Sequence, residues 1–142
     1  MTVLDYVKDL LKKCPVISLD GVQTDNANET EMLYSISQEP VNPIVRQYTR
    51  GEALKQFSFH LFCWKSSFTD AARDENYRNY EALAEWFKSI TFHRDFPSMG
   101  ERREARAVKI QGNPYEHDKS EDADAALYGM QCVLNYFEKG EL

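Results

Sequence analysis

The sequence lacks the features that most directly identify a chemistry. Its three cysteines, Cys14, Cys63 and Cys132, are far apart and form no CxxC pair, so they predict neither a disulfide framework nor a zinc site. Its six glycines are scattered, and neither GxGxxG nor GxxxxGK occurs, which excludes glycine-rich phosphate loops of those types. No apolar run approaches the roughly 20 residues of a membrane helix, and no basic segment followed by an apolar one opens the chain. We therefore expect a protein that neither spans a membrane nor is secreted through a signal peptide.

Positive charge is scarce as well. The 142 residues include 17 Lys and Arg against 23 Asp and Glu, so the formal net charge is -6. Binding of nucleic acid through phosphate neutralisation needs clustered basic side chains, and this balance argues against it. The densest basic run, residues 101–109, holds four basic and two acidic side chains and is typical of a salt-bridged surface or a subunit contact. Residues 112–142 hold seven acidic residues and two lysines, so most of the net charge belongs to the C-terminal part of the chain.

Two helices are indicated by apolar residues that recur at three- and four-residue intervals. The first is predicted over residues 2–14, with a capping box between Thr2 and Asp5. The second runs from a cap at residue 69 or 70 to about Ile90 and has the length to lie across a sheet. Both helices are predicted to present one apolar stripe to a common core.

Alternation of apolar and polar residues predicts the strands. The strongest signal is KQFSFHLFCW, in which Phe57, Phe59, Leu61 and Cys63 fall on one face. The predicted strands are residues 32–37, 44–50, 55–64, 104–111 and 126–138. Two polar stretches, 18–31 and 112–124, are predicted to be loops, and Arg50-Gly51 is predicted to be a bend or a bulge that leads into the next strand.

This order of elements predicts one α+β domain over residues 1–142. Its mainly antiparallel sheet would have about five strands, with an N-terminal helix and one long helix packed on it. A chain of this length buries roughly 68% of its unfolded surface, which is enough for an independent core.

The residue types that carry catalysis or bind metals are scattered. Cys63 would act as a nucleophile only if a histidine base approached it in space, and a buried structural thiol is the simpler interpretation. His60 lies within the strongest strand and is predicted to pack there. The acidic residues around His117 match no EF-hand spacing and predict a solvated turn. We therefore predict no catalytic residue, no metal and no cofactor.

Interaction surfaces are the remaining candidates. Phe62 and Trp64 make the second face of the strongest strand apolar at its end, so this face is expected to meet another surface. Charged candidates come from the basic run and from the acidic C-terminal region. The predicted interface residues are Phe62, Trp64, Arg102, Arg103, Glu116, Asp118, Asp122 and Asp124.

Four segments together resemble a known family. They are VLDYVKDLLKK, QFSFHLFCW, NYRNYEALAEWFKSI and DADAALYGMQCVLNYFEKG, which lie between residues 2 and 140. The chain resembles the phage and prophage minor capsid or tail terminator proteins, similar to the lambda-like minor tail protein U group. The resemblance implies a structural virion subunit that forms a ring, a hexamer, which caps the tail tube and meets the head completion proteins. It also implies passage of DNA without specific binding, and a location in the host cytoplasm during assembly and then in the virion.

Two alternatives stay open at this stage. One is a small intracellular enzyme that uses Cys63 or a histidine such as His60. The other is a binding module that takes a peptide along a sheet edge, because a ring subunit and a peptide binder use the same kind of edge.

Overall fold

In the residues that the structure describes, the chain forms two helices and six strands. The structure is a computed structural model; it describes the backbone of residues 2–15, 22–24, 34–66, 70–119 and 125–140, and the side chains of 2–15, 36–62, 77–112 and 129–140. The elements are α1 (Val3–Lys12), β1 (Val22–Thr24), β2 (Tyr34–Gln38), β3 (Ile44–Gln47), β4 (Ala53–Ser66), α2 (Asp70–His93), β5 (Arg103–Lys119) and β6 (Ala125–Glu138).

The first helix begins where the sequence predicts it. The Thr2 hydroxyl accepts a hydrogen bond from the Asp5 backbone N–H at 3.1 Å, and the Asp5 carboxylate accepts one from the Thr2 N–H at 3.2 Å. This capping box satisfies backbone donors that the first turn leaves unpaired, and its hydrogen bonds hold the pKa of Asp5 below its ordinary value. The Tyr6 hydroxyl donates to the Pro97 carbonyl at 2.7 Å and ties α1 to the segment after α2, and burial raises the pKa of Tyr6 to about 12.

The strands form one sheet in the order β1-β2-β4-β6-β5, and β3 pairs with β4. Every pairing is antiparallel except that of β1 with β2, which is parallel. β4 and β6 pair along their whole lengths, from Ala53 opposite Glu138 to Ser66 opposite Ala125. The predicted α+β class, with a mainly antiparallel sheet, an N-terminal helix and one long helix, is confirmed.

β2 and β3 run along the same side of β4 as one interrupted strand. Residues 39–43 leave the ladder between them, and their two prolines explain why pairing is broken there. This segment still reaches β4, because the Glu39 N–H donates to the Ser58 carbonyl at 2.9 Å and the Gln56 N–H donates to the Pro43 carbonyl at 2.7 Å. The interruption therefore bends the edge of the sheet without detaching it.

The bend predicted at Arg50-Gly51 joins β3 to β4. Gly51 has a φ of 83°, which is the left-handed region that glycine adopts without steric cost, and its N–H donates to the Tyr48 carbonyl at 3.2 Å. Gly140 packs against this turn. A Cβ at Gly140 would come within 2.2 Å of the Arg50 carbonyl oxygen, so the close approach requires a residue with no side chain.

One core lies between a face of the sheet and the helices. Phe59 and Cys132 are opposite each other in the two central strands and are fully buried, and Leu11 of α1 and Phe87 of α2 are buried in the same cluster. Burial of one such large side chain contributes roughly 1.5–3 kcal/mol, so this cluster holds the sheet as the rigid frame of the molecule. The core residues are Tyr6, Val7, Leu10, Leu11, Cys14, Ile36, Phe57, Phe59, Leu61, Tyr80, Leu83, Phe87, Ile90, Val108, Met130, Cys132, Leu134 and Tyr136.

Two predicted loops contain strand, which corrects the sequence-based assignment. Within 18–31, residues Val22–Thr24 pair in parallel with β2, because an existing strand offers hydrogen bonds that local composition does not reveal. The rest of 18–31 lies outside the described residues.

The larger correction concerns 112–124. β5 continues through Lys119, so residues 112–119 are strand and not loop, and only 120–124 lie outside the described residues. Register shifts between Gln111 and Tyr115 and between Glu116 and Asp118 let this polar stretch stay paired with β6. Gly112, with a φ of 83°, supplies the left-handed backbone at the first irregularity.

Candidate interaction surface

The predicted interface residues whose backbone the structure describes lie at two opposite ends of the sheet. At one end Arg103 of β5 is opposite Glu138 of β6, and at the other Asp118 of β5 and Trp64 of β4 flank Leu127 of β6. Glu138 and Leu127, which mark the two ends, are 11 residues apart along β6, and this corresponds to roughly 37 Å at about 3.4 Å per residue. We call the first the basic end and the second the acidic end of the sheet.

The aromatic candidates lie on β4 toward the acidic end. Phe62 is half-buried, and its ring stacks on the His60 ring with 5.4 Å between centroids. Its partner across the strand pair is Gly129, which carries no side chain. The Trp64 backbone pairs with Leu127, and the Trp64 side chain lies outside the described residues. Phe62 is therefore partly covered by its neighbours in the sheet. The exposed part of its ring can still contact another molecule.

The acidic candidates belong to the hairpin of β5 and β6. The Glu116 backbone pairs with Tyr128 and the Asp118 backbone with Leu127, and their side chains lie outside the described residues. Asp122 and Asp124 also lie outside them. The backbone register thus brings Glu116 and Asp118 to the same end of the sheet as Trp64.

Arg103 is engaged in a network that joins three strands. Its Nε donates to the Glu138 carboxylate at 3.1 Å, and the Lys55 ammonium contacts the other oxygen of that carboxylate. The three side chains are between a quarter and a third exposed. The hydrogen bond from Lys55 and, after it, the one from Arg103 hold the pKa of Glu138 below its ordinary value, although burial opposes them. Arg103 therefore helps to hold β4, β5 and β6 together through the Glu138 carboxylate.

Arg102 lines a cleft at the basic end. The cleft has a volume of about 470 Å³ and lies between the segment after α2 and the start of β5. Its charged lining residues are Arg94, Glu101, Arg102, Arg103, Glu104, Arg106 and Lys139, and its apolar ones include Phe96, Pro97, Met99 and Phe137. We call it the basic cleft, because five cations outnumber two carboxylates in a chain whose net charge is -6.

Apart from Arg103, the guanidinium groups of the cleft are held weakly. Arg102 donates to the backbone carbonyls of Lys139 and Gly140 at 3.5 and 3.4 Å, and Arg106 pairs with the exposed Glu104 at 3.5 Å. Exposed pairs of this kind contribute at most about 1 kcal/mol, so an acidic ligand can displace them at little cost. Within the described part of the chain, Arg94 makes no ion pair at all.

Arg94 reaches the cleft because of the way α2 ends. The Arg94 N–H donates to the Thr91 carbonyl at 3.3 Å and the Asp95 N–H to the Ile90 carbonyl at 2.9 Å, which is the hydrogen-bond pattern of a Schellman motif. The residue at this position adopts a left-handed backbone, and Arg94 does so with a φ of 53°. Glycine is usual at this position because it adopts the left-handed conformation without a steric penalty. An arginine here costs conformational free energy, and its side chain lies at the rim of the cleft.

A second feature of the basic end is an apolar sheet edge. All four residues of β3 are exposed, and no described strand pairs with its outer side. Val41, Ile44, Val45 and Tyr48 are 39%, 40%, 51% and 42% exposed, while the other large apolar side chains exposed in the described residues, Tyr77 and Phe92, lie on α2. We call the segment 41–48 the apolar edge. An unpaired, apolar edge of this kind is a template for another chain.

The apolar edge and the basic cleft adjoin. The Tyr48 ring centroid is 6.3 Å from that of Phe137, and the Arg106 guanidinium carbon lies 5.2 Å from the Phe137 ring centroid. Phe137 is itself part of the cleft lining. The two features therefore form one continuous surface, apolar on one side and cationic on the other.

The opposite edge of the sheet is protected. The outer strand there is β5, which is irregular at three places and carries the exposed charges of Glu104, Arg106 and Lys109. Charges and bulges at an edge discourage pairing with a further strand. β3 also has a register shift, between Ile44 and Arg46, but four apolar side chains are exposed along residues 41–48, so the apolar edge is the more open of these two edges.

A polar cluster around His60 has the only arrangement that suggests acid-base chemistry among the described side chains. The His60 ring nitrogen is 3.6 Å from the Glu39 carboxylate, which also accepts a hydrogen bond from Gln131 at 3.0 Å. Cys132 lies on the core side, where burial, with a smaller effect of the Glu39 charge, raises the pKa of its thiol. The Cys63 side chain lies outside the described residues. The cluster anchors the 39–43 segment to β6.

Two parts of the surface were missed by sequence reasoning. The apolar edge carried a usable signal, because Ile44 and Val45 follow Pro43 with no polar residue between them. The contributions of Arg94 and Lys139 to the cleft carried none, because they come from segments that only the fold brings together.

The wider comparisons add no relative. No protein-family model and no curated protein matches the chain. Among the described residues, neither helix combines the length and the hydrophobicity that crossing a membrane requires, and no group of three or more His, Cys, Asp or Glu side chains is placed to hold a metal ion.

Proposed function

We propose that this chain is a structural virion subunit, a phage tail terminator or head-to-tail joining protein that assembles into a ring on the tail tube. The observation that carries the proposal is the apolar edge. Its four exposed apolar side chains and its unpaired outer side are unfavourable in a lone subunit and are covered when subunits assemble.

The difference between the two ends of the sheet is compatible with a ring. The basic end carries the apolar edge and the cationic cleft, whereas the acidic end carries the β5–β6 hairpin. When one end of each subunit contacts the opposite end of the next subunit, the interface is head-to-tail, and it closes into a ring if the rotation between subunits permits it. The partners of such a ring are the tail tube protein on one side and the head completion proteins on the other.

The net charge agrees with passage of DNA. The formal net charge of each chain is -6, so a ring of such chains would repel the phosphate backbone. DNA would then slide through the ring without being gripped.

A second candidate function uses the same edge. The outer side of β3 has no partner among the described strands, so an extended peptide from another protein could add there as a further strand. This candidate predicts a complex of one chain with one peptide and no assembly of the chain with itself.

The apolar edge is tested by light scattering on three full-length proteins. The wild type is expected to have the mass of a ring, whereas Val45→Lys, which places a charge on the edge, is expected to have the mass of one chain, 16.5 kDa. Ser89→Lys adds the same charge to the exposed surface of α2 and serves as the matched control, with the wild-type mass. Equal masses for the wild type and Val45→Lys would refute the role of the edge, provided that thermal unfolding shows both to be folded.

A further inference from the structure

The molecule separates its charges along the sheet. The basic cleft brings five cations and two carboxylates together at one end. Residues 116–124 carry five acidic residues and one lysine, and the strands that flank this segment pair at the other end, where Lys119 is opposite Ala126. We call residues 116–124 the acidic segment.

The acidic segment cannot fill the cleft of its own chain. Arg103 at the cleft is opposite Glu138, and Lys119 is opposite Ala126, so 12 residues of β6 separate the two positions. At about 3.4 Å per residue the separation is roughly 40 Å, and the paired strands between them are held by the core. Any contact between these two charged features is therefore a contact between two molecules.

We propose that the basic cleft is the docking site for the acidic segment of a second copy of this chain. This inference rests on the proposed self-association and identifies the charged half of its contact. Docking of each acidic segment in the cleft of the next chain gives the head-to-tail contact that the proposed ring requires. It also brings the incoming chain against the apolar edge, because Tyr48, Phe137 and Arg106 join that edge to the cleft.

The chemistry of the cleft fits an acidic peptide. Arg102 and Arg106 are exposed, and their present partners are backbone carbonyls and one exposed carboxylate, which an incoming carboxylate can replace with a stronger charge-assisted hydrogen bond. Phe96, Met99 and Phe137 give the cleft apolar surface for the peptide backbone and side chains between the charges. A cleft that is both cationic and partly apolar suits an acidic polypeptide better than a small inorganic anion.

The test is a charge exchange in the full-length protein. One variant, Arg102→Glu with Arg106→Glu, makes the cleft acidic, and the other, Glu121→Lys with Asp122→Lys and Asp124→Lys, makes the segment basic, with four lysines against two acidic residues. Like charges then face each other in each variant, so each alone is expected to self-associate at least roughly 100-fold more weakly than the wild type, as measured by sedimentation velocity. An equimolar mixture restores opposite charges at every contact of an alternating assembly and is expected to recover the wild-type mass.

The outcomes separate this inference from the proposed function. If the wild type assembles and both variants assemble equally well, the cleft contact is wrong while the ring proposal stands. If each variant is weakened and the mixture stays dissociated, the two features do not meet, and the inference is again overturned. A wild type that remains a single chain at every concentration overturns both proposals.

Two controls accompany the exchange. Circular dichroism and thermal unfolding establish that each variant is folded, and Glu81→Lys with Ser89→Lys on the exposed surface of α2 reports the effect of added charge away from the cleft. A duplex DNA probe is titrated into the wild type and the cleft variant at the same salt concentration. DNA binding that disappears in the cleft variant while self-association persists would assign the cleft to phosphate and overturn the proposal.

Discussion

Glu138 shows how single side chains fix the end of the sheet that carries the candidate surface. Its carboxylate receives Lys55 from β4 and Arg103 from β5, so one residue near the C-terminal end of β6 joins three strands next to the basic cleft. Both cations favour the charged form, and the pKa of Glu138 lies below its ordinary value for that reason.

A lowered pKa in the folded state contributes stability above the unfolded pKa, and that stability is lost as the pH falls through the folded value. We expect Glu138→Gln to lower the free energy of unfolding by about 1 kcal/mol at pH 7, and this difference from the wild type to narrow as the pH falls below 4.5. Urea unfolding at several pH values measures it. Glu85→Gln, which removes an exposed pair with Lys88, is the control and is expected to have no measurable effect. A difference that persists unchanged at low pH would contradict the assigned role of the Glu138 charge.

At the scale of single elements, the end of α2 links stability to the candidate surface. Arg94 occupies a left-handed position that favours glycine, and its side chain lines the basic cleft. A residue kept in an unfavourable backbone conformation at a surface cleft suggests that its side chain is needed there.

Replacement of that arginine should therefore change stability and association in opposite directions. We expect Arg94→Gly to raise the free energy of unfolding by roughly 1 kcal/mol, because glycine adopts the left-handed conformation without strain, and to weaken self-association several-fold. Thermal unfolding and sedimentation velocity measure the two effects. Arg78→Gly, in the exposed interior of the same helix, removes the same charge and is expected to destabilise by about 1 kcal/mol. A destabilised Arg94→Gly protein would show that the helix end is not under strain.

The elements also show what sequence can and cannot predict here. The capping box of α1 and the alternation of QFSFHLFCW are local patterns, and both were confirmed. The extension of β5 through residues 112–119 was missed, because glycine, proline and charged residues hide a strand that depends on pairing with β6. The sequence could predict only part of the basic cleft. Arg102 and Arg103 belong to one basic run of the sequence, whereas Arg94 and Lys139 are brought next to them only by the fold.

At the scale of the whole molecule, the basic cleft lies at one end of the sheet, and the strand pair that leads into the acidic residues 116–124 lies at the other. The paired strands, held by the core, keep these two ends roughly 40 Å apart, so the charges of one end cannot pair with those of the other within one chain. This separation is what the proposed head-to-tail association of copies of the chain would use. The proposed tail terminator or joining role follows from that asymmetry together with the family resemblance of the sequence.

The central claim is that full-length chains close into a ring, and electron microscopy of the purified wild type by negative staining tests it most directly. We expect closed rings of one size with a central opening, six subunits being the number that the family resemblance implies, and native mass spectrometry of the same sample should give a single multiple of 16.5 kDa. Particles of the size of one chain, or open filaments of variable length, would contradict the account.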